Sequence, residues 1–271
     1  MAGDRYLGYR GGDANTPYGK YFRPVMAPLP RHVVEALQHG PQAGPVLLAF
    51  DDAASVADDG YQQTENGYGV LQDGSIGVSV RTDMPGVTPE MWSWWFGWHG
   101  SDSRRYKLWH PRAHVAARWK DGDLEIPAGG RGTQRYIGRS SLISEYIGST
   151  LLRAAIQFVA PKTVGLPADG AALPVCARLG SGDVPVDIGW FVHHIRPTNE
   201  GSEMRSRFWL GGPHIAVRSG PAVASRLVRP VASRVVDISP ATARDLMVHC
   251  AQEMNHLAAF LPDIFAEFRD D

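Results

Sequence analysis

Two glutamates stand where the apolar pattern of their segments calls for a hydrophobic side chain. Glu145 alternates with Ile143 and Ile147 in the run ISEYI. Glu253 lies in the apolar stripe of the last helical segment, three residues after Cys250 and four before Leu257. A carboxylate on a core face is costly unless it is ion-paired, protonated or bound to a metal. Arg135, Arg139 and Arg153 are candidate partners for Glu145, and Arg118 or a protonated histidine for Glu253. Histidines offer the other chemistry. His114 follows a tryptophan-rich run, and His193 and His194 sit in the apolar stretch GWFVHHIR, where alternation lets only one of the two face the interior. His249 and His256 flank Glu253 on adjoining lines of its helix. His114, one of the His193/His194 pair, Glu145 and Glu253 come from four separate segments. Together they form a nitrogen and oxygen donor set suited to Zn²⁺ or another borderline divalent ion.

Other chemistries find less support. There is no GxSxG, GxGxxG or GxxxxGK[ST] run. Cys250 falls mid-helix on the apolar stripe, as a core residue would. Asp51, Asp52, Asp58 and Asp59 lack the register of a calcium loop and read as a solvated surface.

The elements that must position these groups begin with Thr88 to Trp119, which holds six of the eight tryptophans. Thr88 suits an N-cap, Pro89 the first helical position and Glu90 the first turn. Met91, Trp94, Trp95 and Trp98 recur at helical spacing. Tyr106, Leu108 and His110 then alternate, as do residues 114 to 118, which predicts extended chain carrying the histidines under an aromatic helix. Earlier, PRHVVEALQHG reads as a short helix over 30–40. Residues 1–30, rich in Gly, Pro and Tyr, read as an arm that wraps the body or meets a partner subunit in a homodimer. Residues 75–81 alternate as a strand, and 121–134 read as a turn or flap. Strands are expected over 136–147, 151–159, 186–196, 204–210 and 214–218, joined by turn residues as antiparallel neighbours. Ser239 caps a long helix from 241 to about 261, where Pro262 ends or kinks it. The division is an N-terminal arm, short helix and loops over 1–74 and a catalytic domain over 75–271.

The chain has 271 residues, 27 basic and 28 acidic side chains, and 44% hydrophobic residues. Near-zero net charge is not the footprint of a nucleic-acid binder, and no run approaches a membrane span. Two cysteines without CxxC spacing fit a reducing cytoplasm.

WWFGWHGSDSRRYKLWHPRAH, FVHHIRP, MRSRFWLGG and the ending HCAQEMNHLAAFLPDIF resemble the diacetylphloroglucinol hydrolase family, which includes phloretin hydrolases. The likeness runs from about residue 75 onward. It implies an α+β, enlarged helix-grip (START-like) fold, a curved antiparallel sheet around a long C-terminal helix. It also implies one zinc ion and hydrolysis of the carbon–carbon bond between a phloroglucinol ring and its acyl group, in a small aromatic ketone such as a dihydrochalcone. The family's two-histidine, two-glutamate ligand set falls on His114, Glu145, Glu253 and one of the pair, with His193 preferred and His194 open. Its substrate-binding tyrosine falls on Tyr106. His110 and the non-ligating histidine, His194 under that preference, are candidates for holding phenolic oxygens or moving protons. The indoles of Trp94, Trp95 and Trp98 are candidate walls of the ring pocket. Two polar positions of the diacetyl-specific member fall on Ala117 and Phe208, which implies a more apolar acyl pocket suited to an arylpropionyl group. The alternative is a non-catalytic helix-grip protein that binds hydrophobic aromatic ligands.

Overall fold

The computed structural model describes residues 7–122, 132–235 and 239–271, less the side chains of 222, 228 and 231–235. Most of the 121–134 stretch read as a flap lies outside the described residues. In chain order the elements are α1 (Arg31–His39), β1 (Gly67–Val70), β2 (Ile76–Pro85), α2 (Pro89–Trp98), α3 (Ser103–Trp109), β3 (His114–Trp119), β4 (Ser140–Ile147) and β5 (Thr150–Val159). Then come β6 (Leu173–Ser181), β7 (Val186–Thr198), β8 (Gly201–Leu210), β9 (Ala216–Val217), α4 (Ala222–Val235), α5 (Pro240–Ala258) and α6 (Leu261–Phe268). The strands form one antiparallel sheet in the order β1-β2-β8-β7-β6-β5-β4-β3, with β9 on β7. The division at residue 74 therefore falls inside the β1–β2 hairpin.

Helix α5 starts where Ser239 accepts a hydrogen bond from the Thr242 amide. It packs on β2 and β1 near one end of the sheet and also touches β4 near the other. The sheet thus curls around the helix. Pro262 stops α5 by standing in the first turn of a separate helix, α6. Helix α2 is capped as its sequence asks, Thr88 accepting from the Met91 amide. Its indoles are buried all round.

Three local readings need correction. Tyr106, Leu108 and His110 do not lie in extended chain. Asp102 N-caps a two-turn helix, α3, by accepting from the Arg104 amide, and Tyr106 and Leu108 are buried within it. Strands β1 and β6 and helix α4 answer to no expected element. Residues 136–139 precede β4 as turn rather than strand.

Both faces of the central strands are covered, and all but the two end residues of β8 are buried. The concave face packs on α2, α3 and α5 in the main core, which holds Phe96, Phe191, Phe208, Cys250 and Leu257. A second core forms on the other face, where Leu47, Ala53 and Val56 cover Cys176, Val192 and Trp209. Arg205 and Arg207 are buried on that face, sharing Glu65 at 2.7 and 2.5 Å.

Candidate metal centre

His114 opens β3, directly across from Glu145 of β4. The bulge after His114 keeps Ala117 and Trp119 on the buried face. From α5, His249 and Glu253 project one helical turn apart, the spacing that puts i and i+4 on one face. The four side chains converge. His114 Nε2 lies 3.3 Å from a carboxylate oxygen of Glu145 and 3.3 Å from one of Glu253. His249 Nε2 lies 3.5 Å from Glu145 and 3.7 Å from Glu253. The donor atoms of His114, Glu145 and His249 all fall within 4.8 Å of one another, a group that could hold a metal ion.

The hydrogen bonds around the cluster point the same way. The Tyr106 carbonyl, 2.9 Å from His114 Nδ1, can only accept, so that nitrogen carries the proton and Nε2 presents its lone pair. His249 hydrogen-bonds the Tyr146 backbone in like fashion. Among the described residues neither Nε2 makes a well-formed hydrogen bond, although both are buried and lie 3.3–3.7 Å from the carboxylates. The Tyr106 hydroxyl donates to Glu145, and its ring stacks on that of His114 at 3.7 Å. Burial, with the charge and hydrogen bond of Glu145, raises the Tyr106 phenol far above its usual range. Burial holds His114 well below the ordinary imidazole value. Burial also lowers His249, but the two carboxylates outweigh it and leave its imidazole raised. Burial pushes Glu253 up to about 8, with His249 pulling down and Glu145 pushing up.

Among the described residues no lysine or arginine is paired with either carboxylate. The arginines considered as partners are engaged elsewhere: Arg135 with the Asp271 carbonyl, Arg153 with Asp183, and Arg139 over the Trp119 ring. Arg118 is exposed. Two largely buried carboxylates, with side chains 12% and 10% exposed, thus face the two histidines and, at Glu145, the Tyr106 hydroxyl, with no cationic Lys or Arg among the described residues.

The structure brings His114, Glu145 and Glu253 together and places His249 beside them, where a member of the His193/His194 pair was expected. His193 stands apart. It is on the concave face, its Nδ1 hydrogen-bonded to Ser206 at 2.7 Å and its ring stacked on Phe96. Burial lowers its imidazole to about 3. His194 points to the opposite face, where burial and then Arg205, Arg196 and Arg207 lower it to about 4. The reading of His194 as a group that touches phenolic oxygens is corrected: the sheet itself separates it from the cluster. His110 caps the end of α3 and stacks on His249 at 4.8 Å, hydrogen-bonded to Gln252. The tryptophan wall is corrected in part. Trp94 packs on Phe265 and Trp98 on Phe268, both of α6, so Phe96 is the α2 ring that meets His193. The signal that could have found His249 is HxxxE on a capped helix, the spacing at which an imidazole and a carboxylate share a face.

Fold and site define an α+β protein whose curled antiparallel sheet and α5 enclose a candidate metal centre. The chain belongs to the DAPG hydrolase family: the family profile described as the DAPG hydrolase PhiG domain matches residues 47–266. It is 32% identical to 2,4-diacetylphloroglucinol hydrolase of Pseudomonas protegens, over 94% of this chain and 85% of that protein. It is 31% identical to phloretin hydrolase of Eubacterium ramulus, over 93% and 90%. Among solved structures, norcoclaurine synthase of Thalictrum flavum superposes with a TM-score of 0.31 and 14% identity, over 64% of this chain and 94% of that one.

Proposed function

We propose that this chain is a zinc-dependent hydrolase that cleaves the carbon–carbon bond between a phloroglucinol ring and its acyl group, on an enlarged helix-grip fold. The observation that carries the proposal is the cluster of two histidines and two carboxylates, without a cationic side chain, in a family whose relatives include hydrolases of diacetylphloroglucinol and phloretin. Bonds of about 2.0–2.1 Å to a tetrahedral centre put neighbouring ligand atoms roughly 3.3–3.4 Å apart. The four histidine–carboxylate separations are 3.3, 3.3, 3.5 and 3.7 Å. His114, Glu145 and His249, whose donor atoms all lie within 4.8 Å of one another, with Glu253 at 3.3 and 3.7 Å from the two histidines, are the residues that would hold the ion. A passive apolar carrier has no use for two such carboxylates, which argues against the binding-protein alternative.

When bound, zinc would supply a Lewis acid for the acyl carbonyl and lower the pKa of a water. In the overall reaction water's hydroxyl goes to the acyl carbon, the aryl–acyl bond breaks, and the ring carbon takes a proton. Delivering that proton to the ring carbon before cleavage, which gives a keto tautomer, lets the ring leave as an enolate and avoids a free aryl carbanion. The residues arrange the rest. Tyr106 stays protonated and holds Glu145, which makes Glu145 the carboxylate with a second partner among the described residues. Four protein donors would fill a tetrahedral shell, so a carboxylate that can lean onto a phenol frees room for substrate. To neutral His193, steadied by Ser206 between Phe96, Phe191 and Phe208, we assign the role of holding a phenolic oxygen. Phe208 and Ala117 are buried in the main apolar core. On that ground the substrate is phloretin-like rather than diacetylated. The test is cleavage of phloretin and of 2,4-diacetylphloroglucinol by purified protein, with chelator and with added zinc. Zinc-dependent release of phloroglucinol from phloretin is expected. Chelator-insensitive cleavage would overturn the metal, and a strong preference for the diacetyl compound would overturn the apolar acyl pocket.

A further inference from the structure

Helix α3 is seven residues long, too short to hold its shape without help, yet its Tyr106 touches two members of the cluster. The Tyr106 carbonyl fixes the tautomer of His114 and its hydroxyl holds Glu145. What steadies α3 comes from the N-terminal arm, 84 to 95 positions away in sequence. The Tyr9 hydroxyl donates to the Arg104 carbonyl at 2.8 Å. The Tyr18 hydroxyl donates to the N-capping carboxylate of Asp102 at 2.6 Å. Lys107 pairs with Asp13 at 2.8 Å, with only 15% of its side chain exposed. The arm that makes these contacts is itself built rather than draped. The Tyr9 ring stacks on Phe22 at 4.1 Å, and Tyr18 packs edge-on against Trp98 and Phe268.

We propose that residues 7–22 are a positioning strap for the metal centre, acting through α3 on Tyr106 and thence on His114 and Glu145. This deepens the metal reading and rests on it. The family profile begins at residue 47, beyond the strap. The arm reads in sequence as a wrap or a subunit contact. Three of its side chains close on one two-turn helix, which gives it a specific task.

The experiment compares the full-length wild type, Y9F/Y18F and Y21F. Tyrosine-to-phenylalanine changes keep the rings and remove only the hydroxyls. Tyr21 lies in the same strap but bonds Glu267 of α6, so Y21F is the control for general loosening. Zinc affinity is measured by competition with a chromogenic chelator, and the visible spectrum of the cobalt-loaded protein reports ligand geometry. Removing outer-shell support of a ligand weakens metal binding about tenfold or more. We expect that loss and an altered cobalt spectrum in Y9F/Y18F, and less than about a twofold change in Y21F. Equal affinity and identical spectra in wild type and Y9F/Y18F would overturn the strap while leaving the metal centre standing. An equal loss in Y21F would also overturn it, reducing the arm to general stability. A wild type that takes up no zinc or cobalt would overturn the metal reading itself.

Discussion

Exchange of His249 and of His193 separates the two possible ligand sets. A ligand that binds only the folded state stabilises it by RT ln(1 + [L]/Kd), about 2.7 kcal/mol at a hundredfold excess over Kd. Unfolding entropy near 2.1 cal/mol/K per residue gives about 570 cal/mol/K for this chain. Saturating zinc should therefore raise the melting temperature by about 5 °C. The quantity to compare is this increment, because it cancels whatever each substitution does to the zinc-free fold. His249 Nε2 is buried, makes no well-formed hydrogen bond among the described residues and lies 3.5 and 3.7 Å from the two carboxylates. His249→Ala should lose most of the increment. His193→Ala, which removes a ring bonded to Ser206 and stacked on Phe96, should keep it while losing turnover. Differential scanning fluorimetry, with and without zinc after chelator treatment, reads both. A full increment in His249→Ala and none in His193→Ala would refute the assignment.

Tyr106→Phe keeps the stacking on His114 but frees Glu145; turnover of phloretin should fall at least tenfold with the protein still folded, and unchanged kcat would remove the hydroxyl from the reaction. Glu65 governs acid stability on the far face of the sheet. Burial alone would raise its carboxyl, but the hydrogen bonds and charges of Arg205 and Arg207 hold it down at about 2 against an ordinary 4.5. Its contribution is complete above pH 4.5 and is lost as pH falls toward 2, amounting to about 3 kcal/mol. Urea titrations of wild type and Glu65→Gln across that window should show the steeper decline in wild type, and parallel declines would contradict the pairing. Gly100→Ala would push a methyl to 2.7 Å from the Trp119 ring, which lies beneath Arg139. Overpacking of this kind costs roughly 1–3 kcal/mol, and an unchanged urea midpoint would show that the indole can yield.

Much of this protein can be read along the chain because the physics involved is local. Caps and prolines mark the starts of α2 and α5, since orphan amides need acceptors wherever a helix begins. Glu145 and Glu253 stand out because a carboxylate among apolar neighbours conflicts with burial. His114 enters the donor set as a histidine after the tryptophan-rich run, and the family likeness supports it, since no spacing singles it out.

Other features required the tertiary structure. His193 and His194 are 3% and 4% exposed, because a second core covers the outer face of the sheet. With both faces buried, alternation carries no sign of inside and outside, so neither histidine could be assigned from its neighbours. Tyr106 belongs to a helix rather than a strand because Asp102 caps it and a strap from residues 7–22 pins it, contacts that span 84 to 95 positions. The register of β3 on β4 sets His114 opposite Glu145, and the curl of the sheet around α5 delivers His249 and Glu253 to meet them. Sequence by itself determined that two carboxylates are buried and need a counter-charge. Only the folded chain decided which nitrogens face them, because side-chain direction across a doubly covered sheet is set by packing, not by pattern.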